Sequence, residues 1–263
     1  MSAQQKRILV TGSNGQLGKS LQDIVKDFPN YSFIFKTKEE LDITNALEVE
    51  NVLQQHQINY CINCAAYTKV DQAEQEPEKA FEINAESVKN LAAICNKLKV
   101  ILIHISTDYV FDGTKKTPYT ITDATNPINM YGMSKLKGEG YIQEQLAQHY
   151  IIRTSWLYHK KYGKNFYKTI LQKAKNGEAL QVTHSQTGCP TNAVNLAGFI
   201  MKLIEENAGF GIFHFCDAVP MTWYDFAKII VKENGLQANT AITKKEYPTI
   251  AKRPAYSVLK VNY

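Results

Sequence analysis

The sequence predicts an α/β fold, a Rossmann-like doubly wound parallel sheet with a smaller C-terminal substrate-binding lobe. Short apolar segments of β type alternate with amphipathic helical segments along most of the chain, which is typical of a parallel sheet covered on both faces. A glycine-rich turn also follows the first predicted strand and precedes a helix. We predict an NAD(P)-binding core at residues 1–155 and a lobe mainly at 156–263, with some of its segments returning to the core.

The individual elements follow from local pattern. The first strand is predicted at residues 7–11, and Leu17, Leu21 and Ile24 then share one face of a helix that ends before Pro29. Further strands are predicted at residues 31–36, 60–65, 100–106, 150–155, 180–182 and 211–215. Further helices are predicted at residues 46–56, 77–98, around 131–135, and at 165–176, 196–206 and 222–234.

Bulk composition restricts the class of protein. The 263 residues are 44% hydrophobic and 21% charged, which suits a globular protein with a full core. No apolar run approaches the roughly 18–20 residues that span a bilayer, so we expect no membrane partner. The five cysteines have no framework spacing, and we therefore expect a cytoplasmic protein with free thiols. The net charge of +5 is modest and its lysines are dispersed, which argues against a nucleic-acid partner.

The first glycine loop has the pattern Gly-x-x-Gly-x-x-Gly and is a candidate dinucleotide site. Gly12 suits the tight turn, Gly15 lets the backbone approach a pyrophosphate, and Gly18 allows the helix to pack closely on the strand. The predicted cofactor contacts in this loop are Gly12, Asn14, Gly15, Gln16, Leu17 and Gly18. The alternative is a glycine-rich turn that binds no ligand.

The end of the second predicted strand bears on the choice of cofactor. It has Lys36 and Lys38 and no carboxylate before Glu39, whereas an acidic residue there would repel a 2′-phosphate. The lysines can pair with that phosphate, so we expect NADPH as the cofactor, with NADH also used. The alternative is that both lysines are solvated surface residues.

Three residues suggest proton transfer. Thr107 ends a predicted central strand, where open α/β sheets bind ligands. Tyr131 and Lys135 are four residues apart and share a helix face. A neighbouring cation favours the phenolate, so we expect Lys135 to lower the pKa of Tyr131 from its reference value of about 10.

These motifs together resemble the extended short-chain dehydrogenase/reductase family. The glycine loop, the Ser106-Thr107-Asp108-Tyr109 strand end and Tyr131-x-x-x-Lys135 carry the general resemblance. Further segments are similar to the branch of this family that reduces nucleotide-linked 4-keto sugars: Leu41-Asp42-Ile43-Thr44, Asn63-Cys64-Ala65-Ala66-Tyr67-Thr68-x-Val70-Asp71-x-Ala73-Glu74, Ser134-Lys135-Leu136-Lys137-Gly138-Glu139, Arg153-Thr154-Ser155-Trp156, Gln186-x-Gly188-x-Pro190-Thr191 and Arg253-Pro254-Ala255-x-Ser257. The resemblance covers almost the whole chain.

The resemblance implies roles for individual positions. Tyr131 would protonate the developing alkoxide at the sugar C4, Lys135 would tune Tyr131 and hold the nicotinamide ribose, and Thr107 would hydrogen-bond the substrate oxygen. Asp42 and Ile43 match positions near the adenine, and Ala65, Ala66 and Thr68 match a stretch that lines the cofactor. Trp156 matches a residue against the sugar or nucleotide, and the Arg253 guanidinium suits a diphosphate. Asp108 and Tyr109 are further candidate residues that line the substrate site.

The implied activity is NAD(P)H-dependent reduction of the C4 keto group of dTDP-4-dehydro-6-deoxy-L-mannose to dTDP-L-rhamnose. Two alternatives stay open: a non-catalytic NADP-binding regulatory subunit resembling the methionine adenosyltransferase beta subunit, and another nucleotide-sugar epimerase or reductase. Some relatives dimerise through acidic residues that hold magnesium. We cannot match those positions here, so we predict no metal site and leave a homodimer open.

Two further features carry expectations. Asn84 falls on an apolar helical stripe, and a buried asparagine needs partners, so it either supports the site or has a purely structural role. Relatives usually continue beyond the position of Tyr263 through a stretch that contains a helix, so we expect either a naturally short form or a truncated chain.

Overall fold

The computed structural model describes residues 5–217, 219–237 and 240–263. The strands in chain order are β1 (Lys6–Thr11), β2 (Tyr31–Phe35), β3 (Tyr60–Asn63), β4 (Ile101–Thr107), β5 (His149–Thr154), β6 (Leu157–Tyr158), β7 (Leu180–Val182), β8 (Thr187–Gly188), β9 (Thr191–Asn192), β10 (Gly211–Phe215), β11 (Met221–Thr222) and β12 (Ile242–Lys244). The helices are α1 (Gln16–Ile24), α2 (Ala46–Gln55), α3 (Val70–Ala73), α4 (Pro77–Phe81), α5 (Ser87–Leu98), α6 (Met130–Gln145), α7 (Phe166–Lys175), α8 (Ala193–Glu205) and α9 (Trp223–Glu233).

The central sheet has the strand order β2-β1-β3-β4-β5-β10, and every neighbouring pair in it is parallel. The chain leaves β1 toward β2 on one side and returns to β3 on the other, so the strand order reverses next to β1. Ligands of open α/β sheets bind at such a point, outside the carboxyl ends of the strands. The predicted doubly wound parallel sheet is confirmed.

Helices cover both faces of this sheet. On one face, Leu21 of α1 and Ile200 of α8 join a buried cluster with Ile8, Ile62 and Ile152 of the strands. The opposite face is covered by α2, α5 and α6, whose apolar residues form a second buried cluster against the strands. Strands β3, β4 and β5 in the middle of the sheet are largely buried on both faces and each contains a run of apolar residues, whereas the edge strand β2 is only partly buried.

The later elements form two groups. Helices α7 and α9 pack together through Ile170, Phe226 and Ile230 beside the parallel pair β7–β12. By contrast, β10 pairs with β5 in the central sheet, and α8 packs on α1. The division of the chain near residue 155 stays a prediction.

The predicted helix at residues 77–98 is interrupted. It consists of α4, a π-helical turn at Glu82–Glu86, and α5. The interruption contains Asn84, whose side chain accepts a hydrogen bond from the Tyr67 backbone N–H at 2.9 Å and donates to the Tyr67 carbonyl at 3.0 Å. It also donates to Ser134 Oγ at 3.0 Å. Apolar periodicity does not reveal a single widened turn of this kind.

Two other observations concern the helices. The short helix α3 was not predicted, because four residues are too few for a helical period to be read. Within the described part of the chain, no helix is both long and apolar enough to cross a membrane.

Candidate active site

The glycine loop between β1 and α1 leaves a helix N-terminus open to a cleft. Gly12 has φ +58°, and a Cβ atom there would lie 2.8 Å from the backbone nitrogen of Ala65. A Cβ atom at Gly18 would lie 2.5 Å from Ser13 Cα, so the close packing of α1 requires glycine. Gly15 caps the helix, and the first turn has no acidic residue. The free amides and the helix dipole therefore fit an anionic group such as a diphosphate.

This loop forms one wall of a cleft of about 850 Å³, a size typical of cofactor and substrate sites. All of the predicted cofactor residues line it: Gly12, Asn14, Gly15, Gln16, Leu17, Gly18, Asp42, Ile43, Ala65, Ala66, Thr68, Tyr131 and Lys135. The opposite wall includes Trp156, Tyr158 and Asn165 from the second half of the chain. The cleft therefore lies between the carboxyl edge of the sheet and the later elements.

At one end of the cleft, Lys38 and Asp42 lie side by side. Asp42 Oδ1 accepts hydrogen bonds from the backbone and hydroxyl of Thr44 at 3.0 and 2.9 Å. The backbone bond is the largest cause of the lowered pKa of Asp42, which burial opposes. Lys38 Nζ is 3.9 Å from the other carboxylate oxygen, and its side chain is largely exposed. The Asp42 carboxylate is therefore hydrogen-bonded mainly to Thr44, and the Lys38 ammonium group is accessible from the cleft.

At the other end of the cleft, the end of β4 meets the start of α6. Thr107 Oγ1 accepts from the Tyr109 backbone N–H at 3.1 Å and donates to Asp108 Oδ1 at 3.1 Å. Helix α6 is capped at its N-terminus by Asn129, whose side chain accepts from the Gly132 N–H at 2.8 Å. These two local caps bring the Thr107 hydroxyl and the Tyr131 phenol into the same wall of the cleft.

The pKa of Tyr131 is raised above its usual value, mainly by burial, while its interaction with the Thr107 hydroxyl opposes the shift. The expectation that Lys135 lowers this pKa is therefore wrong for this structure. The reason is the direction of the lysine, whose Nζ donates to the Ile105 carbonyl at 2.7 Å and lies 3.1 Å from His104 Nε2. Burial lowers the pKa of Lys135 to about 8, and Glu139 opposes this shift.

Asp108 is a second titratable group beside Tyr131. Its side chain is almost completely buried, and burial raises its pKa to about 7, against hydrogen bonds from Ser257 and Thr107. A carboxyl group with a pKa near neutrality in a cleft is typical of a functional site. The sequence indicated Asp108 as a lining residue but did not indicate this shift.

The remaining predicted substrate residues divide between the cleft and the layer behind it. Trp156 lines the cleft with φ +45°, and its ring stacks on Trp223 with centroids 3.5 Å apart. Tyr109 and Arg253 do not line the cleft. Arg253 donates to Asp71 at 2.7 Å and to the Tyr109 hydroxyl at 3.4 Å, and the Tyr109 ring meets that of Tyr131 edge-on at 5.9 Å.

Comparison with known proteins identifies the family. The model of the RmlD substrate-binding domain matches residues 6–263. The chain belongs to the RmlD family. It is 40% identical over 265 residues to a dTDP-4-dehydrorhamnose reductase of Aggregatibacter actinomycetemcomitans, covering 96% of this chain and 90% of that protein.

Solved structures of RmlD-type proteins agree with this assignment. A dTDP-4-dehydrorhamnose reductase from Clostridium acetobutylicum is 41% identical with a TM-score of 0.92, covering 97% of this chain and 90% of that chain. One from Bacillus anthracis, determined in complex with NADP, is 39% identical with a TM-score of 0.93, covering 98% and 91%.

Sequence reasoning missed a buried ionic group beneath the site of this RmlD-family chain. Glu139 of α6 accepts from Arg153 of β5 through Nε at 3.0 Å and Nη2 at 2.7 Å, and Ser106 of β4 donates to the same carboxylate. Both charged side chains are at most 4% exposed. The group ties the strand end that carries Thr107 to the helix that carries Tyr131. Charged residues within an otherwise apolar strand and on a buried helix face were the available signal.

Proposed function

We propose that this protein is an NADPH-dependent reductase of the C4 keto group of dTDP-4-dehydro-6-deoxy-L-mannose that forms dTDP-L-rhamnose. The names of the relatives support the substrate, and the NADP complex of the Bacillus anthracis protein supports the cofactor. Lys38, which lines the cleft beside Asp42, further supports NADPH, since an ammonium group attracts a 2′-phosphate.

The observation that carries the proposal is the convergence of Thr107, Tyr131 and Lys135 in one wall of a cleft that also contains the glycine loop. Because its pKa is raised, the Tyr131 phenol keeps its proton at neutral pH. It is therefore available as the acid that protonates the developing C4 alkoxide. A bound reduced nicotinamide supplies the hydride.

Neighbouring residues position this acid. The Thr107 hydroxyl interacts with Tyr131, and its proton, which is donated to Asp108 Oδ1 here, can rotate toward the same substrate oxygen. Lys135 lies one helical turn away with its amine anchored on β4. The stacked rings of Trp156 and Trp223 give the opposite wall an apolar surface against which a sugar or base can pack.

The assay follows loss of NADPH absorbance with dTDP-4-dehydro-6-deoxy-L-mannose. We expect Tyr131→Phe to lower kcat by about 10²–10⁴-fold, because the acid is lost, with little change in NADPH affinity. The matched control is Tyr141→Phe on the same helix, where the phenol donates to the surface residue Glu86 and turnover should be retained.

Three outcomes would contradict the proposal. Near-normal turnover of Tyr131→Phe would exclude this tyrosine as the acid. No NADPH oxidation by the wild-type protein with nucleotide-linked keto sugars, despite NADPH binding, would instead favour a cofactor-binding regulatory subunit. An epimerase with recycled cofactor would convert the sugar without net oxidation.

A further inference from the structure

Lys135 lines the cleft, and its amine has two hydrogen-bonding neighbours on β4. The residue is 2% exposed, and its Nζ donates to the Ile105 carbonyl at 2.7 Å. Its other neighbour is His104 Nε2 at 3.1 Å. An ammonium group can only donate, whereas an uncharged amine has a lone pair that accepts. The charge of Lys135 is therefore coupled to whether His104 Nε2 carries a proton.

Asn63, His104 and Lys135 form a series of hydrogen bonds, and the contacts of Asn63 determine which group donates in each bond. One of the two terminal atoms of the Asn63 amide group lies 2.7 Å from Thr11 Oγ1 and 3.3 Å from the Ala65 backbone nitrogen. The Ala65 N–H can only donate, so that atom is the amide oxygen. In the opposite orientation of the amide, the Asn63 NH2 group would face the Ala65 backbone N–H, and two donors would meet. Asn63 Nδ2 therefore points at His104 Nδ1, 3.2 Å away, and donates to it.

This direction determines the tautomer of His104. The side chain is fully buried, and burial is the largest cause that holds its pKa well below the usual value, so the ring is neutral. A neutral imidazole carries one N–H. Because Nδ1 accepts from Asn63, the proton is on Nε2 and points at the Lys135 amine. With an ammonium group at Lys135, two donors would face each other.

We propose that His104 is a positioning residue: held as its Nε2–H tautomer by Asn63, it donates to the Lys135 amine and favours the uncharged form of that lysine. Its consequence for catalysis rests on the proposed reductase function. In that reaction, His104 lowers the pH at which Lys135 loses its charge.

The other charged and titratable groups around Lys135 do not replace this effect. Glu139, one turn further along α6, raises the pKa of Lys135, but its carboxylate is already paired with Arg153 and bonded by Ser106. Tyr131 is neutral at physiological pH because its own pKa is raised. Burial and the His104 donor thus act together on Lys135, and Glu139 acts against them.

The tautomer can be measured directly on the wild-type protein without substrate. In ¹⁵N-histidine-labelled protein, assigned with His104→Gln, we expect His104 to show a protonated Nε2 and an unprotonated Nδ1 at pH 7. Detection of the Nδ1–H tautomer or of an imidazolium would overturn the proposal. This measurement does not depend on the enzymatic activity, so it stands even if the reductase assay fails.

The kinetic test uses His104→Gln, whose amide oxygen can accept from an ammonium group. Without the His104 donor, the pKa of Lys135 should rise. The apparent pKa that belongs to Lys135 in the pH profile of kcat/KM should therefore increase by about one unit. This direction holds whichever form of the lysine is active. The control is His149→Gln. His149 lies at the amino end of β5, away from the cleft at the carboxyl ends of the strands, and bonds the Leu146 carbonyl. The pH profile of this variant should match that of the wild type. Reduced turnover of His104→Gln with an unchanged apparent pKa would show a merely structural role and overturn the proposal.

Discussion

Replacing Arg153 by methionine should destabilise the protein severely, because it leaves a buried carboxylate without its counter-charge. The Glu139 side chain is 0% exposed and the Arg153 side chain 4%. The guanidinium supplies two of the donors to that carboxylate, and only the Ser106 hydroxyl would remain. Breaking a buried pair by removing one partner costs about 3–5 kcal/mol of unfolding free energy. At roughly 2–4 °C per kcal/mol, the melting temperature should fall by roughly 6–20 °C.

Two controls separate burial of charge from loss of contacts. Lys160 pairs with Glu233 at 3.1 Å, but both side chains are about half exposed, so Lys160→Met should cost only about 0–1 kcal/mol. The double variant Glu139→Met with Arg153→Met removes both charges. Replacing a buried pair by apolar groups is often close to neutral, so the double variant should be more stable than Arg153→Met alone.

The assay is urea unfolding followed by circular dichroism, which gives the unfolding free energy of each variant. A cost below about 1 kcal/mol for Arg153→Met would refute the reasoning, since a value of that size is typical of an exposed pair. A double variant as unstable as the sum of both single variants would equally refute it, because it would show that no uncompensated charge was involved.

Two further predictions concern stability. Gly138→Ala should destabilise the protein, because its Cβ would lie 2.2 Å from the Asn84 carbonyl oxygen, whereas Gly140→Ala on the same helix meets nothing within 4 Å and should stabilise by about 0.5–1 kcal/mol; equal effects in urea unfolding would contradict this. Burial lowers the pKa of His214 from 6.5 to about 4. Between these pH values, His214 is therefore protonated in the unfolded chain but neutral in the folded protein. Stability should therefore fall as pH drops from 6.5 toward 4, and this fall should be smaller in His214→Gln, which can still donate to the Tyr119 carbonyl.

The sheet and the cleft were predictable because they follow from local patterns. Each strand buried on both faces is a short apolar run, and the glycine loop marks the strand–helix turn at which the sheet binds ligands. Thr107 was recognisable because it ends such a run, and Tyr131 because of its lysine at i+4. These features depend on neighbours in the sequence, and the sequence contains them in full.

The electrostatics of the site were not predictable in the same way. The spacing of Tyr131 and Lys135 suggested a cation beside a phenol, yet the amine is anchored on His104 and Ile105, and burial dominates both pKa values. Side-chain direction and burial depend on which strand lies under the helix. That information comes from contacts about 30 residues apart in the chain.

The start of helix α6 and the C-terminal segment are connected through one side chain. Asn129 caps α6 with its oxygen and donates through Nδ2 to the Lys252 carbonyl at 2.8 Å. Next to this contact, Asp71 accepts from the Ala251 N–H at 3.1 Å and from Arg253 at 2.7 Å. The segment that carries Arg253 is thus held by Asn129, which caps the helix carrying Tyr131, and by Asp71. A boundary near residue 155 therefore does not separate two independent parts of the candidate site, because the C-terminal segment helps to hold the helix that carries Tyr131 in place.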